Sequence, residues 1–338
     1  MNTRMKAVRL HAFGGPEVLQ YEDAAIPAVA PGEVLVQVHA ASLNPPDLYL
    51  RDGYRALPEE WRPDATFPLI LGTDVSGVVA AVREGVTAFA VGDEVFGMIR
   101  FPEDIMTGSG AYAEYVAAPL GDLAAKPEAL SHEEAAGAPM SLLTAWQFLV
   151  ETGHDAPNPF QSFPHLPVEL DGRTVLVNGA GGGVGHLALQ LAKSKGARVI
   201  AVASGKHEGL LKTLGADQFI DYTKTAAHEV VRGVDLVIDA VGGADMERFL
   251  ATLKPGGSLF LVNPTGFEGH AQARELGITV SSTQVRSNGA QLARAAELLA
   301  QGDIKVVLDS RFRLVDTSRA HERALKGGIQ GKIVLTTT

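Results

Sequence analysis

Thr174-Val-Leu-Val-Asn-Gly-Ala-Gly-Gly-Gly-Val-Gly-His186 is the stretch of sequence that decides the fold of this chain. Thr174 to Val177 is a short apolar run with two β-branched valines, which is typical of a fully buried strand. Glycines follow, and the chain then continues from His186 to Lys193 in an apolar helical pattern. A strand, a glycine turn and a helix N-terminus present outward-facing N–H groups and a positive dipole end, which together suit a pyrophosphate.

The spacing of these glycines is Gly179-x-x-Gly182-x-x-Gly185 rather than the usual G-x-G-x-x-G. A tight strand-to-helix turn without any ligand is therefore the competing interpretation. From Arg173 onward, strand and helix patterns alternate, which predicts an α/β fold with a doubly wound, parallel sheet of the Rossmann type. Helices are predicted in this part at Thr223–Val231 and Ala244–Leu253, among others.

The composition limits the function classes that need to be considered. A length of 338 residues favours two domains. A net charge of −10 argues against a nucleic-acid partner, because phosphate binding needs clustered Lys and Arg. The absence of cysteine excludes disulfides and thiolate metal ligands. No apolar run is long enough for a membrane span and the first residues lack a signal-peptide core, so a cytoplasmic location without a membrane partner is expected.

The first ~120 residues contain short strand patterns bounded by Gly, Pro or Asp, which predicts a barrel-like β domain. Val34, Val36 and Val38 alternate with other residues, so one face of their strand is expected to be buried. Arg55–Thr66, which includes Trp61, is interpreted as a mobile flap. A helix is predicted at Glu128–Ala138 with Ser131 and Glu134 forming a capping box. The proline-rich segment Gly153–Pro167 is interpreted as an irregular surface loop.

The segment Ala201–His207 predicts which nicotinamide cofactor binds. A dinucleotide fold that prefers NAD usually carries an acid about 20 residues beyond the first glycine. Here no carboxylate precedes Glu208, whereas Ser204 and Lys206 offer a hydroxyl and a cation. The phenol of Tyr222 is a further donor. These residues favour the 2′-phosphate of NADPH, although a solvated surface lysine is the alternative for Lys206.

Several short motifs together resemble the medium-chain dehydrogenase/reductase superfamily, and more narrowly its zinc-independent quinone oxidoreductase branch. The motifs are Asn44-Pro-x-Asp-x-x-x-Arg-x-Gly-Tyr54, Pro68-x-x-x-Gly-x-Asp-x-x-Gly77, Gly179-x-x-Gly-Gly-Val-Gly185, Leu214-Gly-Ala-Asp217, Asp235-x-Val-x-Asp-x-Val-Gly242 and Gly331-Lys-Ile-Val-Leu335. The resemblance implies a GroES-like β-barrel catalytic domain formed by residues 1–125 and 268–338. It also implies a Rossmann NADPH-binding domain at residues 126–267, with the C-terminal segment returning to the first domain.

The resemblance also implies roles for individual residues. Tyr54 and Asn44 are the candidate catalytic residues, with Tyr54 or water supplying a proton. The expected cofactor contacts are Asn44 and Thr144 near the nicotinamide, Gly181, Gly182, Gly183 and Val184 at the pyrophosphate, Ser204, Lys206 and Tyr222 at the 2′-phosphate, Val241 and Gly242 at the ribose, Val262, Asn263 and Pro264 at the nicotinamide amide, and Lys332 from the C-terminal segment.

No metal is expected. The zinc-dependent members of the superfamily use a cysteine and a His-Glu pair, but the corresponding positions here read Gly72-Thr73-Asp74 and the chain has no cysteine. Without a metal to polarise a ketone, the acceptor must itself be electrophilic, as quinones and conjugated carbonyls are. The hypotheses are an NADPH-dependent quinone reductase, a 2-alkenal or enoyl reductase, and an NADPH-binding protein without turnover. A homodimer joined through the strand Ile278–Thr283 is also expected.

Overall fold

The computed structural model describes residues 3–56, 59, 62, 64–102, 109–157 and 161–337. The chain forms two compact units. The first comprises Met1–Leu143, Arg286–Ala300 and Val306–Thr338, and the second comprises Thr144–Val285 and Gln301–Lys305. Residues 126–143, expected in the Rossmann domain, therefore belong to the first unit. Residues 268–285, expected in the catalytic domain, belong to the second, because they supply the last strand of its sheet.

The strands are β1 Arg4–Leu10, β2 Leu19–Ala25, β3 Glu33–Leu43, β4 Leu69–Ile70, β5 Asp74–Val82, β6 Glu94–Met98, β7 Tyr115–Pro119, β8 Leu123–Ala125, β9 Thr174–Asn178, β10 Arg198–Ala203, β11 Gln218–Asp221, β12 Val234–Asp239, β13 Leu253–Leu261, β14 Thr279–Ser281, β15 Leu308–Arg313 and β16 Lys332–Thr336. The α-helices are α1 Pro45–Asp52, α2 His132–Gly137, α3 Pro139–Leu149, α4 Gly183–Ser194, α5 Glu208–Thr213, α6 Ala227–Val230, α7 His270–Glu275, α8 Gly289–Gln301 and α9 Thr317–Leu325.

The second unit is built on a parallel sheet with the strand order β11-β10-β9-β12-β13-β14. Its strands are apolar on both faces: Val175, Leu176 and Val177 of β9 are all completely buried. Such runs occur where helices cover both sides of a parallel sheet. The predicted Rossmann-type α/β fold is confirmed, and the sheet brings the carboxyl ends of its six strands to one edge.

The first unit contains two sheets, with the strand orders β2-β1-β4 and β15-β16-β3-β5-β6-β8, and β7 pairs with β3 outside the second order. The alternation in β3 has the predicted effect, because Val34, Val36 and Val38 are buried in the core of this unit. The C-terminal strand β16 lies antiparallel to β3. The C-terminal strand is therefore part of the same sheet as β3 and β5.

Three helices differ from their predicted bounds or type. Ser131 caps α2 and forms the predicted capping box with Glu134, so the helix begins at His132 rather than Glu128. The helix predicted at Thr223–Val231 shrinks to α6, because the Thr223 N–H donates to Asp221 in a separate turn. The segment predicted as helix Ala244–Leu253 forms a 3₁₀ helix at Met246–Thr252.

Candidate active site

The glycine-rich turn between β9 and α4 forms a cradle at the carboxyl edge of the parallel sheet. Gly179 has a φ of +75°, which favours glycine. A Cβ on Gly185 would lie 2.1 Å from the carbonyl oxygen of Gly179, so α4 can approach the turn this closely only without a side chain there. Gly182 is the N-cap of α4, which leaves the first N–H groups of the helix for an anion. The residues present therefore fit a pyrophosphate, with Gly181, Gly182, Gly183 and Val184 at the cradle.

The segment after β10 packs against this cradle. A Cβ on Gly181 would lie 2.8 Å from the ring of His207, which is buried in a short 3₁₀ helix that Ser204 precedes. Lys206 in the same turn is exposed, and Tyr222, which follows β11, is also largely exposed. The structure thus places Ser204, Lys206 and Tyr222 on the same sheet edge as the glycine-rich turn.

The carboxyl ends of β12 and β13 continue this edge. Asp239 Oδ1 accepts hydrogen bonds from Asn178 Nδ2 at 2.7 Å, the Val241 N–H at 2.9 Å and the Gly242 N–H at 3.3 Å. These bonds shape the turn in which Gly242 has a φ of +75°. In the same turn, the Val241 side chain packs against Gly179, since a Cβ on Gly179 would lie 2.7 Å from Val241 Cγ2. The sequence motif contained Asp239, but its part in fixing this turn required the register that places Asp239 opposite Asn178.

The remaining expected cofactor contacts of the second unit lie after β13 and in α3. Val262, Asn263 and Pro264 directly follow β13, and a Cβ on Gly242 would lie 3.1 Å from the Asn263 carbonyl oxygen. These residues therefore lie next to the Val241–Gly242 turn. Thr144 lies in α3 and is buried. It belongs to the second unit, whereas Asn44, Tyr54 and Lys332 belong to the first.

In the first unit, a completely buried carboxylate organises a polar cluster. Asp74 Oδ2 accepts hydrogen bonds from Ser42 Oγ and Asn44 Nδ2, each at 2.9 Å, and Asp74 Oδ1 accepts from the Met140 N–H at 2.9 Å. The pairing of β3 with β5 sets Ser42 opposite Asp74. Burial raises the pKa of Asp74, and Lys332, Asn44 and Ser42 oppose this rise.

Lys332 supplies the charge that balances this carboxylate. Its Nζ donates to Asn44 Oδ1 and lies 3.7 Å from Asp74 Oδ2, and its side chain is only 3% exposed. Burial lowers the pKa of Lys332, and Asp74 opposes that shift. The Lys332 ammonium group therefore lies on Asn44 and Asp74, and its expected contact with the cofactor stays a prediction. Asn44 bonds to both charged residues, because its Nδ2 donates to Asp74 and its Oδ1 accepts from Lys332.

Asp47 lies beside the cluster rather than on the surface. Asn44 is the N-cap of α1, and Asp47 occupies the third position of its capping box. Its carboxylate accepts from the Asn44 N–H at 2.8 Å and from the Gly72 N–H at 3.0 Å. Burial raises the pKa of Asp47 to about 7, with the nearby Asp74 carboxylate adding to the shift. This group therefore titrates near neutral pH.

A cleft opens on this side of the first unit. It is open to solvent and is lined by Pro46, Asp47, Leu50, Ile70, Leu71, Gly72, Thr73, Ile99, Arg100, Ser109 and Gly110. The buried Thr73 hydroxyl has no hydrogen-bond partner in the described part of the chain. An unpaired buried hydroxyl costs free energy, and Thr73 is one of the residues that line the cleft. Sequence reasoning treated Thr73 only as a missing metal ligand.

Tyr54 follows α1 and has an unusual backbone for its residue type. Its φ is +51°, and its N–H donates to the Tyr49 carbonyl oxygen at 2.7 Å. Its ring is half-buried and lies 6.1 Å from the ring of Tyr49. Burial raises the pKa of Tyr54 to about 12, so the phenol keeps its proton at neutral pH and can donate a hydrogen bond. Trp61 of the predicted flap lies outside the described residues.

The residues at the position of the zinc ligands of related enzymes do not fit a catalytic zinc ion. Such a site needs three protein ligands from Cys, His, Asp or Glu. Asp74 has both oxygens bonded within the protein, and its neighbours Asn44, Thr73 and Lys332 are an amide, a hydroxyl and an ammonium. No group of three or more His, Cys, Asp or Glu side chains suited to a metal occurs among the residues that the structure describes. Within the same residues, no helix has both the length and the apolar character needed to cross a bilayer.

Comparison with known proteins gives matches over nearly the whole chain. Two family models match: the alcohol dehydrogenase GroES-like domain at residues 30–128 and the zinc-binding dehydrogenase domain at residues 214–335. The first match confirms the predicted GroES-like fold of the N-terminal domain. The second family model is named for zinc, but the side chains around Asp74 do not provide the ligands of a catalytic zinc ion.

Individual proteins extend these matches. The mitochondrial NAD(P)H oxidoreductase RTN4IP1 of Danio rerio is 31% identical over 99% of this chain and 92% of its own length. The 2-methylene-furan-3-one reductase of Solanum lycopersicum is 34% identical over 98% of this chain and 79% of its own length. Among solved structures, the quinone oxidoreductase of Coxiella burnetii is 32% identical, with a TM-score of 0.83 over 99% of this chain and 100% of that one.

Proposed function

This chain belongs to the medium-chain dehydrogenase/reductase superfamily, in its quinone oxidoreductase branch, and we propose that it is an NADPH-dependent oxidoreductase that reduces a quinone without a metal ion. The observation that carries this proposal is the glycine cradle. At Gly185 a single methyl group would collide with the Gly179 carbonyl oxygen. Such a close approach of helix and turn is the arrangement that a dinucleotide pyrophosphate requires.

The preference for NADPH rests on the turn after β10. Ser204, Lys206 and Tyr222 offer two hydroxyl groups and a cation on the same edge as the cradle. A 2′-phosphate is an anion that such donors bind well. When bound, NADPH supplies a hydride, which amounts to two electrons and one proton. The Asp239 bonds to Val241 and Gly242 hold the next turn of this edge in place, which keeps the nucleotide site preformed.

The residues proposed to act on the acceptor lie in the first unit. A quinone that gains a hydride also needs one proton and a donor to the oxygen on which negative charge develops. Tyr54 keeps its phenol protonated, because the pKa of this group is about 12, and Thr73, which lines the cleft, has a buried hydroxyl without a hydrogen-bond partner among the described residues. We propose Tyr54 as the hydrogen-bond donor and assign Asn44 to positioning, since Lys332 and Asp74 fix both ends of its amide.

The alternative is reduction of a carbon–carbon double bond conjugated to a carbonyl. The tomato relative, whose name states that it reduces a 2-methylene-furan-3-one, favours this possibility. In that case the hydride goes to the β carbon and the proton to the α carbon, so the same donors stabilise an enolate oxygen. The remaining hypothesis is a protein that binds NADPH and turns over no acceptor.

A panel of acceptors separates these three possibilities. NADPH oxidation is followed with quinones of increasing size and with 2-alkenals, in wild type and in Tyr54→Phe. Turnover of quinones but not alkenals supports the proposal, and the reverse pattern supports the alternative. Binding of NADPH without turnover of any acceptor supports the non-catalytic hypothesis. If Tyr54→Phe leaves kcat unchanged while the wild type is active, the role proposed for Tyr54 is wrong.

Assembly and location remain proposals as well. A homodimer through Ile278–Thr283 is favoured by the position of β14 at the end of the sheet order. However, the Ser282 N–H already donates to Gln161 Oε1 at 2.7 Å, and Ser281 bonds to His165 at 2.9 Å, so a partner strand has to compete with the proline-rich segment. Light scattering decides between a dimer and a monomer. A cytoplasmic location is proposed from the sequence, and cell fractionation tests it against the mitochondrial location that the zebrafish relative's name gives.

A further inference from the structure

A carboxylate from a neighbouring strand lies at the turn that selects the cofactor. Asp221 is the last residue of β11, and the parallel register places it opposite Ala203, the last residue of β10. The Tyr222 N–H donates to the Ala203 carbonyl oxygen at 3.2 Å, which keeps the two strand ends together. Because both strands end at the same edge, Asp221 lies beside the segment that Ser204 begins.

The contact between Asp221 and this segment is close. A Cβ on Gly205 would lie 2.5 Å from Asp221 Oδ2 and 3.3 Å from its Cγ. Any side chain at position 205 would therefore overlap the carboxylate. The absence of a side chain at Gly205 is what allows the carboxylate to lie against the backbone between Ser204 and Lys206.

The local bonds of Asp221 keep it negatively charged. Oδ1 accepts from the Thr223 N–H at 3.1 Å and from Thr223 Oγ1 at 2.7 Å. Oδ2 lies 3.4 Å from Nζ of Lys224, whose side chain is 78% exposed. These hydrogen bonds, and the Lys224 ammonium, hold the pKa of Asp221 below its ordinary value. An exposed lysine neutralises the charge only in part, because water screens the pair.

We propose that Asp221 determines how strongly this protein discriminates between NADPH and NADH, by opposing the 2′-phosphate that Ser204, Lys206 and Tyr222 favour. The inference rests on the proposed function, in which this sheet edge binds a nicotinamide dinucleotide. In such folds, an acid at the end of the second strand accepts the 2′-hydroxyl of NADH and repels a 2′-phosphate. Here the second strand has no acid, and the adjacent strand supplies one to the same turn.

This arrangement predicts a protein that binds both cofactors and prefers NADPH only moderately. The cation Lys206 attracts the phosphate, and the anion Asp221, which lies against Gly205 of the same turn, repels it. Removal of the Asp221 charge removes this repulsion. In water-like surroundings, two unit charges about 4 Å apart interact by an amount that corresponds to about a fivefold change in affinity, and salt reduces it.

The test measures the Kd of NADPH and of NADH by calorimetry, so that no acceptor is needed. The variant is Asp221→Asn, which keeps the side-chain shape and one oxygen to accept from Thr223. Glu208→Gln is the matched control: it removes the same charge three residues beyond Gly205, from a carboxylate that Lys212 already binds at 2.7 Å. Thermal unfolding of each variant verifies that the fold is retained.

Asp221→Asn is expected to raise the ratio of the NADH Kd to the NADPH Kd about fivefold at low salt, with a smaller change at 0.5 M salt, roughly as the Debye length predicts. Glu208→Gln is expected to leave the ratio unchanged. An unchanged or lowered ratio in Asp221→Asn overturns the inference while leaving the proposed function intact, and so does an equal shift in both variants. If the wild type binds neither cofactor, the proposed function fails and the inference fails with it.

Discussion

The nucleotide edge of the second unit and the polar cluster of the first unit are built in opposite ways. At this edge the groups proposed to bind the nucleotide are backbone N–H groups and glycines, and the side chains of Val241, Lys206 and Tyr222 are exposed. In the polar cluster the groups are side chains, and Asn44, Asp74 and Lys332 are bound to one another with almost no exposure.

This difference has a physical consequence. A backbone cradle needs no partner of its own, since the ligand satisfies it, so it tolerates changes of nearby side chains but not an added methyl group. A buried ionic cluster satisfies its own groups, so removal of either charged member, Asp74 or Lys332, leaves the other charge buried without its partner. Substitutions should therefore impair binding at the nucleotide edge and stability at the cluster.

The largest effect is expected for Lys332→Met, which leaves the Asp74 carboxylate buried without its cation. The free energy of unfolding should fall by about 3–5 kcal/mol, measured by urea denaturation. Lys224→Met is the control, because it removes one partner of an exposed ion pair and should change stability by less than about 1 kcal/mol. Equal losses in the two variants would contradict the importance assigned to burial.

The next effect is expected for Gly185→Ala. The new Cβ overlaps the Gly179 carbonyl oxygen, so the cradle must open and the Kd of NADPH should rise roughly a hundredfold, because the helix N-terminus no longer faces the pyrophosphate. Gly209→Ala in α5 is the control, since a Cβ there meets no atom within 4 Å. Normal NADPH binding by folded Gly185→Ala would show that the cradle is not the binding site.

Two buried groups of the first unit predict opposite responses of stability to pH. Burial and the Arg51 guanidinium, which donates to His321 Nδ1 at 3.1 Å, lower the pKa of His321 to about 3. Below its unfolded pKa near 6.5, the unfolded state binds the proton more readily, so this group destabilises the fold as the pH falls toward 3. Asp47 acts in the other direction: its folded pKa is about 7, so below pH 7 the folded state binds the extra proton and gains stability until about pH 4.

Single substitutions should separate these two contributions. In Asp47→Asn the effect of His321 remains, and stability should fall between pH 6.5 and pH 4 by up to about 1.4 kcal/mol per pH unit relative to the wild type. In His321→Gln the effect of Asp47 remains, and stability should rise by a similar amount relative to the wild type. Urea midpoints at a series of pH values provide the measurement. Parallel curves for both variants and the wild type would rule out this account of the two groups.

The smallest effect is expected for Lys206→Asp. Because Lys206 is exposed, its attraction to a 2′-phosphate is screened, and charge reversal should raise the NADPH Kd about tenfold. The Kd of NADH should change little, because NADH has no 2′-phosphate. Calorimetry with both cofactors is sufficient. If both dissociation constants change by the same factor, Lys206 does not contact the 2′-phosphate.

The sequence predicted the strand, turn and helix of the glycine cradle well, because their determinants are local. The buried strand β9, the glycines and the start of α4 lie within about 20 consecutive residues, and their spacing alone indicates the turn. The capping box at Ser131 and Glu134 was predictable for the same reason. Asp221 was not, because its approach to Gly205 depends on the parallel pairing of β10 with β11.

Prediction of the polar cluster requires knowledge of strand pairing to an even greater extent. Asn44 and Lys332 are 288 positions apart, and they meet because β16 lies against β3. The sequence resemblance identified both residues, but it did not indicate that they bond to each other. Neither the burial of Asp47 nor the saturation of Asp74 by Ser42, Asn44 and Met140 follows from residue spacing, since both depend on the three-dimensional packing of distant strands.

The central claim is that this protein reduces a conjugated carbonyl or quinone with NADPH and without a metal ion. Its most direct test is the turnover of NADPH with an accepted quinone or alkenal after dialysis of the protein against a strong chelator, with the residual zinc measured in the same sample. The account predicts unchanged kcat in metal-free protein and no gain on addition of zinc. Loss of turnover on chelation, with recovery when zinc is restored, would contradict it.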